Sequence, residues 1–318
     1  MTDSTLPHFK PRRSLGRTGF VATVLGIGDL ADRALPLDEL VATARRAMDA
    51  GLNLIDTAPG YESGYSEQVV GRALQGRRDG MFVIDKIDFP DKPVGPQVDA
   101  SLANLGLDHT DLFVFHAVSS MTVLEKLLSP GDGFDQLDAC VRAGKTRFRG
   151  LSGHHPLVLA EAIRSGACDV VMFPVGPLVD QRYIDMVLPL ARKHNVGTVC
   201  FKTFGAGRLV ADTLGYNRPL QQRPRGKMSS GGGDGEATRE GPVLPHLGID
   251  ECVHYTMTCD PDVALLGMSY PNEQDAALHA AAAFVEPLSV ERMRDIHTRA
   301  LTAIEGKGGR HWDPTDAA

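Results

Sequence analysis

Eight short apolar runs alternate with longer amphipathic stretches along 318 residues, and that rhythm predicts an α/β fold closed into a (β/α)8 barrel. Three observations support it. The runs are continuous rather than alternately apolar and polar, as in parallel strands covered on both faces. Between them lie helical patterns, and Gly51, Gly144, Gly166 and Gly197 sit where helices should stop. The G-x-G-x-x-G turn that a doubly wound open sheet would usually carry for a dinucleotide is absent, which leaves that architecture as the runner-up.

In chain order, SLGRTGFVAT (14–23) has a turn-like Gly-Arg-Thr-Gly between β-formers and reads as an N-terminal hairpin. The strands are expected at VLGIG (24–28), LNLID (52–56), MFVIDK (81–86), DLFVFH (111–116), RFRGLS (147–152), DVVMF (169–173), GTVCFK (197–202) and DVALLG (262–267). Helices are expected over LDELVATARRAMDAG, SEQVVGRAL, GPQVDASLANLGL, near 133–144, PLVLAEAIRSG, DMVLPLARKHN, near 247–258, and EQDAALHAAAAF. A long insert at 214–245, after strand 7, is rich in Gly, Pro, Ser and Arg and too polar to order itself. Its Arg218, Arg223, Arg225 and Lys227 suit either a lid over bound cofactor or a solvated spacer. An amphipathic helix, SVERMRDIHTRALTAIEG, precedes a C-terminal tail at 306–318 with the single tryptophan, Trp312. We expect one barrel domain over 1–318.

Composition narrows the function. With 42% hydrophobic and 23% charged residues the chain is ordinary soluble globular protein. A net charge of −7 argues against a nucleic-acid or membrane-surface binder. No apolar stretch approaches the roughly 20 residues needed to span a bilayer. No apolar core follows the basic residues near the N-terminus, so no secretory signal is expected. The cysteines (Cys140, Cys168, Cys200, Cys252, Cys259) are scattered without a C-x-x-C, which fits reduced thiols in a cytoplasm and no metal site.

In a barrel of this kind the active site lies at the carboxyl ends of the strands. The second strand ends on Asp56 with Tyr61 just beyond, the third on Lys86 and the fourth on His116. One strand-end charge is commonly structural; four such groups from three neighbouring strands point to chemistry. A buried Asp–Lys pair in the barrel core is the structural alternative.

From about residue 12 to 300 the sequence resembles the aldo-keto reductases. RRSLGRTGFVATVLGIG is similar to that family's opening hairpin and first strand, and DTAPGYESGYSEQVVGRAL to its Asp-Thr-Ala, Tyr, Ser-Glu, Gly-Arg-Ala-Leu signature. GKTRFRGLSG resembles the fifth strand and GMSYPNEQDAAL the last cofactor-holding loop. The resemblance implies an NAD(P)-dependent oxidoreductase acting on an aldehyde, ketone or sugar-like carbonyl, with the tetrad Asp56, Tyr61, Lys86 and His116. Tyr61 would be the proton donor, Lys86 the charge that lowers its pKa, Asp56 the partner that holds Lys86, and His116 the group that orients the substrate oxygen.

Cofactor contacts implied by the resemblance are Ser152, Phe201, Lys202, Arg208, Gly267, Ser269, Asn272 and Gln274. Several positions depart from the family pattern. Gly153 follows Ser152 where an asparagine is usual, Met172 stands for a glutamine and Gly176 for an asparagine. His154 and His155 either substitute in the nicotinamide grip or face solvent ahead of a helix that Pro156 starts. No Lys or Arg lies between Gly267 and Phe284, while Glu273 and Asp275 lean toward NAD. Arg208 or the insert could supply the missing charge, so NADP(H) is favoured slightly over NAD(H). No cysteine follows Cys259, so no iron–sulfur centre is expected. Other functions with the same residues are a cofactor-sensing regulatory subunit and a sugar isomerase or epimerase that retains its cofactor.

Overall fold

The computed structural model describes residues 9, 11–33, 35–210, 247–305, 310 and 312–314. The insert at 214–245, and with it the lid, lies outside the described residues, as does most of the tail.

Eight parallel strands close in chain order: β3 (Leu25–Ile27), β4 (Leu54–Asp56), β5 (Phe82–Ile87), β6 (Thr110–Phe115), β7 (Thr146–Ser152), β8 (Val170–Pro174), β9 (Gly197–Phe201) and β10 (Val263–Leu266), which pairs back onto β3. The expected (β/α)8 barrel is what forms. Ahead of it β1 (Arg12–Ser14) and β2 (Val21–Thr23) make the antiparallel hairpin, joined by a 3-10 turn. The hairpin plugs the barrel's amino end: Leu15 and Ala22 join the inner core, and the Phe20 ring lies 5.0 Å from that of Phe82.

Side chains alternate faces along a strand, and here the alternation creates two cores. The inner one contains Leu54, Phe82, Ile84, Leu112, Val114, Val170, Met172, Val199, Val263 and Leu265. The outer one packs Ile55, Val83, Phe113, Leu151, Val171 and Cys200 against the helices. The inward parity carried on to the strand ends selects Asp56, Lys86, His116, Ser152 and Phe201. The sequence register alone therefore turns all five toward the barrel mouth.

The helices are α1 (Leu37–Asp49), α2 (Tyr65–Leu74), α3 (Val94–Leu105), α4 (Met121–Leu128), α5 (Gly133–Arg142), α6 (Pro156–Arg164), α7 (Leu188–Lys193), α8 (Ile249–Cys259), α9 (Pro271–Ala282) and α10 (Val290–Ala303). Two departures from expectation have local causes. Between β6 and β7 there are two helices, because the Ser129–Gly131 turn breaks the apolar pattern. The stretch before α7 opens as a π-helix over Tyr183–Val187, since Pro189 cannot donate to the ladder and its ring would crowd the preceding turn.

Trp312, expected in a polar tail, is fully buried. Its Nε1 donates to the Leu178 carbonyl at 2.9 Å, and Tyr183 Oη donates to the Trp312 carbonyl at 3.2 Å. Trp312 is thereby docked on the side of the barrel that carries β8 and β9. Among the described residues no helix is long and apolar enough to cross a membrane.

Candidate functional site

At the end of β4, Asp56 is buried and its Oδ1 accepts from Lys86 Nζ at 2.6 Å. Lys86 also donates to the Thr57 carbonyl at 2.6 Å, and its Nζ lies 4.5 Å from the Tyr61 ring centroid. The Tyr61 ring stands edge-on to His116, centroids 5.6 Å apart. The structure thus brings together all four residues expected from the strand ends.

Tyr61 sits on a strained turn. Glu62 (φ 48°), Ser63 (φ 52°) and Gly64 (φ 82°) are consecutive left-handed residues, and only the last is a glycine. Such backbone costs roughly 1–3 kcal/mol per non-glycine residue and persists where surrounding contacts fix it. Here Arg33 Nε donates to the Glu62 carbonyl at 2.8 Å and its Nη2 to Ser63 O at 3.1 Å, while Asn104 Nδ2 donates to Gly64 O at 2.9 Å. Tyr65, the second phenol nearby, begins α2 and donates to the Leu35 carbonyl.

The electrostatics correct one expectation. Burial lowers Lys86's affinity for its proton, but Asp56 and Tyr61 outweigh it, so the ammonium is held charged. Burial also raises Asp56, which Lys86 partly offsets. Tyr61, expected to be lowered by Lys86, is raised above its ordinary value. Burial is the first cause; Lys86 pulls the other way, but Asp56 and Asp29 push the phenol up. Lys86 is the largest charge acting on the phenol and favours the phenolate, but burial together with the two carboxylates outweighs it.

Asp29 is a residue that sequence reasoning missed. It follows β3 at the same rim, its Oδ1 accepts from Ala31 N at 3.0 Å, and burial lifts its carboxyl to about 6. Inward parity would not have selected it: Leu25 and Ile27 on the same parity face the outer core, and Asp29 reaches the rim only because the chain leaves the strand after Ile27. Behind Lys86, on the helix side, Asp85 and Glu67 form a second buried acidic pair. Burial and the neighbouring Glu67 raise the Asp85 carboxyl well above its ordinary value.

The other half of the rim is quieter. Ser152 is buried at the end of β7, and Phe201 is half-buried at the end of β9, 5.5 Å from the His154 ring. His155 occupies the N-cap position of α6 without a capping bond from its side chain, and Pro156 does start the helix. Met172 is sealed inside the inner core. Gly176 has a steric reason: a Cβ there would lie 2.7 Å from the Lys202 carbonyl. The loops after β8 and β9 approach too closely for the family's asparagine. Lys202 (φ 76°) and the buried Arg208 both lie against Trp312, at 5.5 and 5.3 Å from its ring.

Beyond β10, Gly267 leads into the loop, and the buried Ser269 has its N–H held by Glu273 at 2.9 Å. Asn272 Oδ1 accepts from Glu273 N. Gln274 differs from expectation: its amide donates to Thr43 O and Met268 O and accepts from Arg46, so it ties the loop to α1. Arg46 also pairs with Asp275 at 2.8 Å. The two carboxylates that leaned toward NAD are therefore engaged within the chain, and a basic side chain reaches this loop from α1. A scan of the loop's own sequence could not find it.

Whether these residues suit a nicotinamide dinucleotide is tested by their unmet hydrogen bonds. Thr203 Oγ1 and Ser269 Oγ are buried without a partner, at the ends of β9 and β10. Buried hydroxyls rarely stay unpaired, and donors of this kind suit ribose or phosphate oxygens, so the rim fits such a group.

Residues 23–276 match the model of the Aldo/keto reductase family, and the chain belongs to that family, whose members are NAD(P)-linked oxidoreductases. It is 29% identical over 221 residues to L-galactose dehydrogenase of Arabidopsis thaliana, spanning 62% of this chain and 66% of that one. It is 26% identical to the aldo-keto reductase YhdN of Bacillus subtilis strain 168, over 90% of this chain and 92% of the relative. The solved aldo-keto reductase of Klebsiella pneumoniae in complex with NADPH matches with a TM-score of 0.66 and 18% identity, over 96% of this chain and 97% of that one, a likeness of fold.

Proposed function

We propose that the protein interconverts a small carbonyl compound (an aldehyde, ketone or sugar-like carbonyl) and its alcohol, with NADP(H) favoured as cofactor. The observation that carries the reading is the buried ammonium of Lys86, locked to Asp56 at 2.6 Å and set 4.5 Å from the Tyr61 ring. When bound, the nicotinamide supplies or accepts the hydride. Tyr61, whose burial keeps it protonated, gives its proton to the carbonyl oxygen in reduction and recovers it in oxidation. Lys86 stabilises the phenolate that remains, and Asp56 keeps Lys86 charged and in place. His116 orients the substrate oxygen beside Tyr61.

Ser152, Phe201, Lys202, Arg208, Gly267, Ser269 and Asn272 would hold the cofactor, with Thr203 added and Gln274 acting through the shape of the loop. Phe201 offers an aromatic face to the nicotinamide. The preference for NADP(H) is supported by Arg46 and by the internal pairing of Asp275. The L-galactose dehydrogenase among the relatives favours a sugar-like substrate within this range.

The test is steady-state consumption of NADPH and NADH across a panel of aldehydes, ketones and aldoses, with calorimetric titration of both cofactors. Saturable turnover and tighter NADPH binding are expected. No affinity for either dinucleotide would end the oxidoreductase reading; equal affinity would end the NADP preference.

A further inference from the structure

Asp88 follows β5, two residues after Lys86, and the proton transfer proposed above does not use it. Its Oδ1 lies 2.5 Å from His116 Nδ1, both side chains being mostly buried, with 17% and 23% exposed. The same carboxylate accepts from the backbone N–H of Gly60, the residue before Tyr61. A Cβ on Gly60 would stand 2.7 Å from Asp88 Oδ2, so the carboxylate reaches that turn because Gly60 has no side chain. One carboxylate thus joins the turn carrying Tyr61 to the imidazole opposite it.

Burial alone would raise the Asp88 carboxyl, but the His116 ring and the Gly60 N–H outweigh it and hold it below its ordinary range. Asp88 is then an ionised group that only accepts hydrogen bonds. An acceptor against Nδ1 requires the proton to be on Nδ1. In the neutral ring the other nitrogen, Nε2, is then bare, and it lies on the far side of the imidazole from Asp88.

The geometry points to Asp88 as a positioning residue that fixes His116 in the Nδ1–H tautomer, so that Nε2 accepts from a substrate hydroxyl and donates to a carbonyl oxygen only when the ring is doubly protonated. The role of His116 toward substrate rests on the proposed function; the tautomer stands independently of it. A neutral ring therefore receives the alcohol, and the imidazolium receives the carbonyl.

Ring-nitrogen NMR of the full chain with labelled histidine tests this, His116 being assigned by the signals lost in His116→Gln. The neutral wild-type ring should show a protonated Nδ1 and a bare Nε2. Asp88→Asn, whose amide can donate to Nδ1, should shift the population toward Nε2–H, and Asp88→Glu should restore the wild-type pattern. With NADPH and para-nitrobenzaldehyde, Asp88→Asn should lower kcat by about 10- to 100-fold, within the span of acid–base catalysis, while KM changes less than about twofold. Should Asp88→Asn misfold, Gly60→Ala, which displaces the carboxylate, replaces it. A neutral wild-type ring protonated on Nε2, or ring nitrogens unchanged in the folded variant, overturns the assignment. If wild type does not reduce para-nitrobenzaldehyde, that counts against the reductase reading alone, because the ring-nitrogen signals still decide the tautomer.

Discussion

From β4 to β6 the carboxyl rim is dense in polar side chains that are partnered within the chain: Asp56 with Lys86, His116 with Asp88. From β7 to β10 the rim offers hydroxyls and an aromatic face, and Thr203 Oγ1 and Ser269 Oγ are buried with nothing to bond. The first half is organised before any ligand arrives, as electrostatic chemistry in a dry pocket requires. The second half keeps these two hydroxyls unmet, and an unmet buried hydroxyl costs about 1–3 kcal/mol that a ligand can recover. Substitutions on the charged side should therefore damage rate, and on the other side affinity.

The largest effect expected is that of Tyr61→Phe. Turnover should fall by about 10² to 10⁴, the usual contribution of a positioned acid, with NADPH affinity retained. A near-normal rate would remove Tyr61 from its role and erase the contrast between the two halves.

Lys86→Met should lose a comparable part of the rate and also destabilise the fold by about 3–5 kcal/mol, because Asp56 is left buried without its partner. Adding Asp56→Asn should recover most of the stability and none of the rate. A single variant that is merely less stable, with turnover intact, would mean the pair serves only the barrel core.

On the opposite side, Ser269→Ala should weaken NADPH binding about tenfold, one hydrogen bond's worth, with kcat within about twofold of wild type. Melting temperature should stay level or rise, since the hydroxyl satisfies nothing within the protein. A destabilised variant with unchanged affinity would place Ser269 among structural groups.

The smallest effect concerns Asp29. Its carboxyl is raised to about 6 when folded, against an ordinary 3.8. The folded state holds this proton more tightly, so the contribution to stability is full below the unfolded value and is lost as pH rises through 6. Asp29→Asn should thus raise the melting temperature at pH 8 by about 2 °C or more, and shift it little at pH 4. Removing the carboxylate should also ease the ionisation of Tyr61, moving the alkaline limb of the rate profile to lower pH. A melting difference as large at pH 4 as at pH 8 would deny Asp29 this titration.

Much of this was legible in the sequence, and unevenly. The strand runs and glycine stops defined the barrel, and Asp56, Lys86 and His116 were recognisable because each closes an apolar run. Asp29 lies off the inward parity and follows a glycine after a short strand, so it did not stand out. Asp88 lies past the strand end and has meaning only through His116, 28 residues on. Arg33 and Arg46 look like ordinary surface charges until the turn and the loop they clamp are in place. Trp312 carried no periodicity at all, and its burial against Lys202 and Arg208 depends on where the chain returns.

What the sequence by itself determined is which side chains face the barrel mouth, because alternation along a strand is local and a closed parallel sheet fixes its sense. What only the tertiary structure decided is the protonation and pairing of those groups. Tyr61 is held protonated, Asp29 is lifted to about 6, and Asp275 is paired by an arginine from α1. Each of these depends on burial and on charges brought together from distant parts of the chain, and neither quantity exists until the barrel has closed.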